Sequence, residues 1–136
     1  MDSSKGRKLK GGLSSIYIKP LSVNVCWNGR KVKSHKYREY EREVLSILPD
    51  QISIPDKGKL MIYIKFAHSN SAFDWDNGIK PFQDILQKKY LFNDRQIYFA
   101  IVEKEVVNKG DEYITFCVRK MGILDKIHSC IRGIFK

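Results

Sequence analysis

The sequence predicts an α+β fold: a two-layer domain in which helices pack on a mixed β-sheet, followed by a C-terminal amphipathic helix. Three observations carry this expectation. The run Leu60-Met61-Ile62-Tyr63-Ile64-Lys65-Phe66 is dense in β-branched and aromatic residues and has the composition of a central strand. Two separate segments repeat apolar residues at spacings of three and four, the signature of helices with one buried face. Turn signals at Asn28-Gly29, at Pro55-Asp56-Lys57-Gly58 before the central strand and at Asn108-Lys109-Gly110-Asp111 separate these segments from further strands. The 136 residues, 43% hydrophobic and 12% aromatic, suit a single domain with a conventional core.

Residues 1–15, rich in Gly, Ser and Lys, read as a flexible basic tail. Ile16 to Lys19 form a short strand ended by Pro20, and Asn28-Gly29 between Cys26-Trp27 and Lys31-Val32-Lys33 predicts a tight hairpin with a basic tip. From His35 to Leu48 the positions Tyr37, Tyr40, Val44, Leu45, Ile47 and Leu48 follow a helical period that Pro49 stops. After the central strand, Ile79, Phe82, Ile85 and Leu86 form a second stripe, with the regular helix expected to begin at Pro81. Gln96 to Val107 and Tyr113 to Val118 are two further strands, and Asn108-Lys109-Gly110-Asp111 predicts a hairpin joining them. Leu124, Ile127, Ile131 and Ile134 form the stripe of a last helix within 120–136, which packs on or extends the main domain at 16–119.

Charge adds the first functional constraint. The chain carries a formal net charge of +10, and residues 1–42 hold 11 Lys/Arg against 3 acids, while residues 43–136 hold 14 against 12. A basic field this concentrated attracts polyanions by counterion release, so nucleic acid is the expected partner, with solubility alone or an anionic membrane surface as the other readings. No apolar run approaches the roughly 20 residues that cross a bilayer, and no signal-peptide pattern follows Met1, so the expectation is a soluble, cytoplasmic protein without a membrane partner. Cys26, Cys117 and Cys130 are odd in number and widely spaced, which supports neither a disulfide framework nor a thiolate metal site.

The chemistry concentrates around Asp74-Trp75-Asp76-Asn77. Carboxylates at i and i+2 point to one side if the stretch is extended, and together they reach one hard cation. Asp94 follows 18 residues later, before the next strand, and joins the pair if the intervening helix returns the chain so that this strand starts beside them. Such an all-oxygen set suits Mg²⁺ or Mn²⁺ over zinc. The same aspartates also suit a helix cap and a turn that bind nothing. Lys80 lies four residues from both Asp76 and Asp84, which fits either a cation at a phosphoryl transition state or an ordinary i, i+4 ion pair.

These residues resemble the RusA-like Holliday junction resolvases, small endonucleases of phages and prophages. The resemblance lies in Pro20-Leu21-Ser22-Val23-Asn24 with Trp27, the basic stretch Arg30 to Arg38, Asp74-x-Asp76-Asn77-x-x-Lys80, Asp84-x-Leu86, and Asn93-Asp94-x-Gln96, across about residues 16–119. It implies that Asp74, Asp76 and Asp94 hold Mg²⁺, with Mn²⁺ able to substitute, and that Lys80 assists cleavage with Asp84 behind it. It implies a homodimer that nicks a four-way junction symmetrically, in DNA recombination and repair, in a bacterial or phage-infected cell. Asn24, Arg30, Lys31, Lys33 and Lys36 are the expected DNA-backbone contacts, Trp27 either stacks on a base or joins the core, and Phe82, Ile85 and Tyr90 are candidates for the dimer interface that suit the core equally. Two positions depart from the family pattern: Phe73 stands where basic residues are frequent, and Asn93 where Asp is frequent. The alternative is a non-catalytic nucleic-acid-binding protein with a basic N-terminal hairpin; a third class is an adaptor acting through the last helix.

Overall fold

In a computed structural model, which describes residues 5–9 and 12–122, five strands form one mixed sheet and two helices cover one face of it. The chain order is β1 (Gly6–Lys8), β2 (Ser14–Ile16), a 3-10 turn (Val23–Val25), α1 (His35–Ile47), β3 (Leu60–His68), α2 (Ile79–Tyr90), a 3-10 turn (Asp94–Gln96), β4 (Ile97–Val106) and β5 (Tyr113–Lys120). In space the sheet runs β1-β2-β5-β3-β4. The expected α+β class is the observed one, and the expected helix within 120–136 lies almost wholly outside the described residues, as does Cys130.

β3 is the axis of the sheet, as its composition requires. It pairs with β4 in parallel, Met61 opposite Phe99 through His68 opposite Val106, and with β5 antiparallel, Leu60 opposite Lys120 through Ala67 opposite Tyr113. Leu60, Ile62, Ile64 and Phe66 alternate toward the helices and meet Ile114, Phe116 and Val118 from β5. Phe82, Ile85 and Leu86 of α2 and Tyr37, Tyr40, Val44 and Ile47 of α1 close over them. Phe82 sits edge-on to both Phe66 and Phe116, with ring centroids 6.2 and 5.4 Å away. Of the two readings of Phe82 and Ile85, interface or core, the structure gives core: both are fully buried within the chain, and the hydroxyl of half-buried Tyr90 donates to the Pro49 carbonyl.

Three expectations are corrected. Residues 1–15 are not all tail, since β1 and β2 extend the sheet from β5 and Ser14 and Ser15 are buried, with a 2.9 Å bond between the Ser15 and Thr115 hydroxyls. Helix α2 begins at Ile79, two residues before Pro81, because a first-turn N–H has no intrahelical acceptor and its loss there costs little. The 108–111 turn forms, with Gly110 at φ 98°, but β4 and β5 do not pair. β5 crosses to the far edge of β3, where its apolar residues reach the core; turn chemistry specifies a reversal of the chain and not which strand receives it.

The predicted helix at His35 begins at Ser34, whose Oγ accepts from the Tyr37 amide while its own hydroxyl donates to the Val25 carbonyl at 2.6 Å. One buried side chain thus caps α1 and closes the base of the 27–33 loop. Ser34→Ala should cost about 1–2 kcal/mol in urea unfolding, and Ser34→Thr should recover part of it. Gly78, at the entry to α2, has the Phe66 ring 2.8 Å from where a Cβ would stand. Gly78→Ala should therefore destabilise by about 1–3 kcal/mol through overpacking, whereas Gly58→Ala, with open space at its Cβ and loss only through its φ of 98°, should cost less.

Glu41 links three elements: it accepts from Lys33 of the basic loop at 2.8 Å and from Lys88 of α2 at 3.0 Å. Burial pushes its carboxyl up, but the two lysines outweigh burial and hold it below its ordinary range. A lowered carboxyl contributes stability that is full above the unfolded pKa and fades as pH falls through the folded one. The difference in urea midpoint between the native chain and Glu41→Gln should accordingly be constant near neutrality and shrink below the ordinary carboxylate range.

Candidate active site

The acidic motif occupies the connection between β3 and α2, beyond the C-terminal end of β3. Its anchor is Phe73, which is buried between β3 side chains: its ring stacks on His68 at 4.4 Å, 6° from parallel, and meets Phe66 edge-on. Residue 73 thus ties the loop to the sheet, a packing role for the first departure from the family pattern. Backbone turns follow, Asn77 N to Asp74 O at 3.0 Å and Ile79 N to Asp76 O at 3.2 Å, and the Asn77 carbonyl accepts from Val23 N at 2.7 Å. From the β4 side, Lys104 donates to the Ser71 carbonyl at 2.7 Å.

The pair Asp74 and Asp76 is therefore turned and not extended, so strand alternation does not align the two carboxylates. Both are exposed, and neither takes a hydrogen bond or ion pair within the described residues. Trp75 between them is 57% exposed. Lys80, in the first turn of α2, donates to Asp84 at 2.9 Å, so the i, i+4 ion pair exists; the Lys80 side chain remains 59% exposed. Asp84 in turn faces Cys26 and Tyr37, whose acidities burial weakens first and the Asp84 charge weakens further, the Cys26 thiol being pushed up to about 11. Cys26 is the small buried residue its spacing implied.

Asp94 does not join the pair. Because β4 runs parallel to β3, it starts where β3 starts, with Ile97 opposite Leu60, and Asp94 lies just before it. Gln96 fixes that corner to the carbonyls of Asp56 and Gly58. The length of β3, nine residues at about 3.3 Å each, separates Asp94 from Asp74 and Asp76. The expectation of a returning helix held; the expectation that it would bring Asp94 to the pair did not, since a helical crossover between parallel strands returns the chain to the opposite end of the sheet. No group of three metal-ligating side chains forms among the described residues. Asn93, the second departure, caps the 3-10 turn, its Oδ1 accepting from Arg95 N at 2.9 Å and its own amide donating to Gln96 at 3.0 Å.

The basic loop meets the acidic one through the Val23–Val25 turn, which places exposed Asn24 near Asn77. The tight hairpin is instead a wider loop, closed by a single bridge between Trp27 and Lys33 and an Asn28 N to Val32 O bond, with Gly29 and Lys31 at positive φ. Arg30, Lys31 and Lys36 are exposed. Lys33 is not free: it pairs with Glu41 and lies over the Tyr37 ring, holding the loop down. Trp27 packs edge-on against Tyr37 and keeps 42% of its surface exposed, so it is neither wholly core nor wholly free.

His68 is a buried residue that sequence reasoning did not single out. His68 is 6% exposed, its Nδ1 accepts from the Asn70 amide at 2.9 Å, and burial together with the Lys19 charge lowers its pKa, so it is neutral near pH 7 with its proton on Nε2. A polar residue ending an otherwise apolar central strand was the available signal. His68 lines an open cleft of about 860 Å³ between the 17–22 segment, α1 and the acidic loop.

No helix among the described residues is long and apolar enough to cross a membrane. No curated protein matches the chain. Residues 22–115, which span both 3-10 turns, α1, β3, the acidic loop, α2, β4 and the start of β5, match the family described as Endodeoxyribonuclease RusA. The exposed acid pair, the lysine that follows it and the basic loop beside it all fall inside that match, and the chain belongs to the RusA endodeoxyribonuclease family, a DNA endonuclease family acting on Holliday junctions.

Proposed function

We propose that this endonuclease is a Mg²⁺-dependent resolvase, with Mn²⁺ able to substitute, which works as a homodimer and separates four-way junctions and related branched DNA by paired symmetric nicks in recombination and repair in the cytoplasm. The observation that carries this reading is the Asp74-Trp75-Asp76 turn: two exposed carboxylates without a protein cation, pinned to the sheet by Phe73 inside the family match. Mg²⁺ is commonly held by one or two carboxylates, with water and phosphate oxygens completing its shell, so Asp74 and Asp76 fit it without a closed cage. Bound there, the ion supplies charge neutralisation at the scissile phosphate and acidifies the attacking water.

The chain's own groups have separate tasks in this reading. Lys80, mobile enough at its exposed end to leave Asp84, offsets negative charge on the leaving oxygen, and Asp84 holds it in place between turnovers. Arg30, Lys31 and Lys36 hold phosphates, Asn24 adds a neutral contact beside the acidic loop, and Lys33 keeps the loop in shape. Asp94 serves the same metal only if a second copy of the chain presents it, since within one chain β3 stands between them. Two copies related by a two-fold axis would each complete the other's site, and a junction with two equivalent strands suits that symmetry.

Labelled four-way junction incubated with the protein should be nicked with Mg²⁺ and left whole with EDTA; cleavage unaffected by EDTA would contradict the metal dependence. Asp76→Asn should lower the single-turnover rate by at least about a hundredfold, while junction affinity in EDTA holds or rises because repulsion of phosphate is relieved. Lys80→Ala should act mainly on that rate. Lys31→Ala should instead weaken binding and reduce the slope of log affinity against log salt by about 1; equal effects of the two lysine changes on affinity would make Lys80 another backbone contact.

A further inference from the structure

We propose that the cleft beside the acidic loop is a channel for an unpaired DNA strand, in which the His68 Nε2–H meets a phosphate oxygen and Lys19 and Lys36 hold the strand at the rim. The inference rests on the reading that the substrate is branched DNA.

Its volume, about 860 Å³, lies within the usual range for small-ligand sites, roughly 300–1,000 Å³, which is room for a few nucleotides of one strand. Two of its lining residues, His68 and Tyr40, are more than nine-tenths buried. Nδ1 of His68 is taken by the Asn70 amide and its ring face by Phe73, which leaves the Nε2 edge without a partner. The Tyr40 hydroxyl is buried beside the Leu21 backbone and belongs to the wall of the cleft. The Nε2–H of His68 is the donor that can meet an anion or water.

The rim carries Lys5, Lys19 and Lys36 against Glu39, Glu43 and Glu112. Glu43 pairs with Lys5, Glu39 meets His35, and Glu112 accepts from the Ser69 hydroxyl and the Gly110 amide, which fix where these carboxylates lie. Lys19 and Lys36 are exposed and form no ion pair among the described residues. Tyr17, 45% exposed on the wall, offers a face on which any base can stack. The cleft is also continuous with the site, because Phe73 and Asn77, on either side of the acid pair, line it. A strand cut at Asp74 and Asp76 therefore passes into the cleft if it is unpaired on that side. A linear duplex lacks such a strand, and the cleft thus gives a physical basis for preferring branch points.

The test uses the full chain in EDTA and fluorescence anisotropy with three probes: a labelled ten-residue oligothymidylate, a splayed fork and a blunt duplex. Lys19→Glu, a change at an exposed position, should weaken oligothymidylate and fork binding at least about tenfold and leave duplex binding within about twofold. His68→Phe, which keeps the stack on Phe73 and removes the donor, should do the same, its folding checked by thermal melting. If His68→Phe fails to fold, photocross-linking of 5-iodouracil in the fork's unpaired arm decides the matter, with adducts expected on Tyr17 or His68. Unchanged strand affinity in Lys19→Glu, or adducts confined to the 27–33 loop, would overturn the channel even if the native protein cuts junctions with Mg²⁺. Strand binding that depends on Lys19 in a protein that cuts nothing would uphold the channel and refute the resolvase.

Discussion

The parallel pairing of β3 with β4 is the constraint on which the rest of the molecule depends. Parallel neighbours require a crossover, so α2 must run back along the sheet, and its apolar face, Phe82, Ile85 and Leu86, becomes the centre of the core. The crossover leaves β3 at the end where the acidic loop sits and enters β4 at the other. Everything that the loop carries, Asp74, Asp76 and Lys80, is thereby placed at the C-terminal end of β3, and Asp94 at its start. Within one chain β3 stands between Asp94 and the acid pair, and this separation is why the proposed site draws Asp94 from a second copy.

Local packing then gives the site its character. Phe73 is held by His68 and Phe66, so the acid pair is presented on an anchored turn. Ser34 and Glu41 hold the basic loop against α1 and α2, and the Val23 amide bonds the acidic loop to the segment that leads into it. Lys33 and Lys88 share Glu41, which draws the basic loop and α2 to α1. The outer cations, Arg30, Lys31 and Lys36, remain available to phosphate.

Much of this was legible in the residues. Ser34 before a helical stripe, the apolar density of 60–66 and the stripe ending at Leu86 are signals in which local preference and burial agree, and these elements stand where they were expected. The acid motif and the lysine after it were legible as a pattern of residue types. What was not legible depends on non-local pairing. Nothing in Asn108-Lys109-Gly110-Asp111 tells β5 to pass β4 and pair with β3, and the Gly/Ser/Lys composition of the first 15 residues hides strands whose stability comes from β5. The position of Asp94 turned on the same choice, since an antiparallel β4 would have begun near the acid pair. His68 was overlooked because a titratable residue at a strand end reads as loop until its burial against Phe73 is known.

Complementation between two inactive chains tests the central claim, that a complete site takes Asp74 and Asp76 from one copy and Asp94 from another. Asp76→Asn and Asp94→Asn chains, each inactive alone, would be co-expressed with different affinity tags, and the doubly tagged species assayed on four-way junction with Mg²⁺. A site shared between copies leaves one site intact in each mixed dimer, so nicking of a single strand should return with little complete resolution. If each chain holds a whole site, both sites of the mixed dimer are damaged, and a doubly tagged dimer that binds the junction but makes no nick would contradict the account.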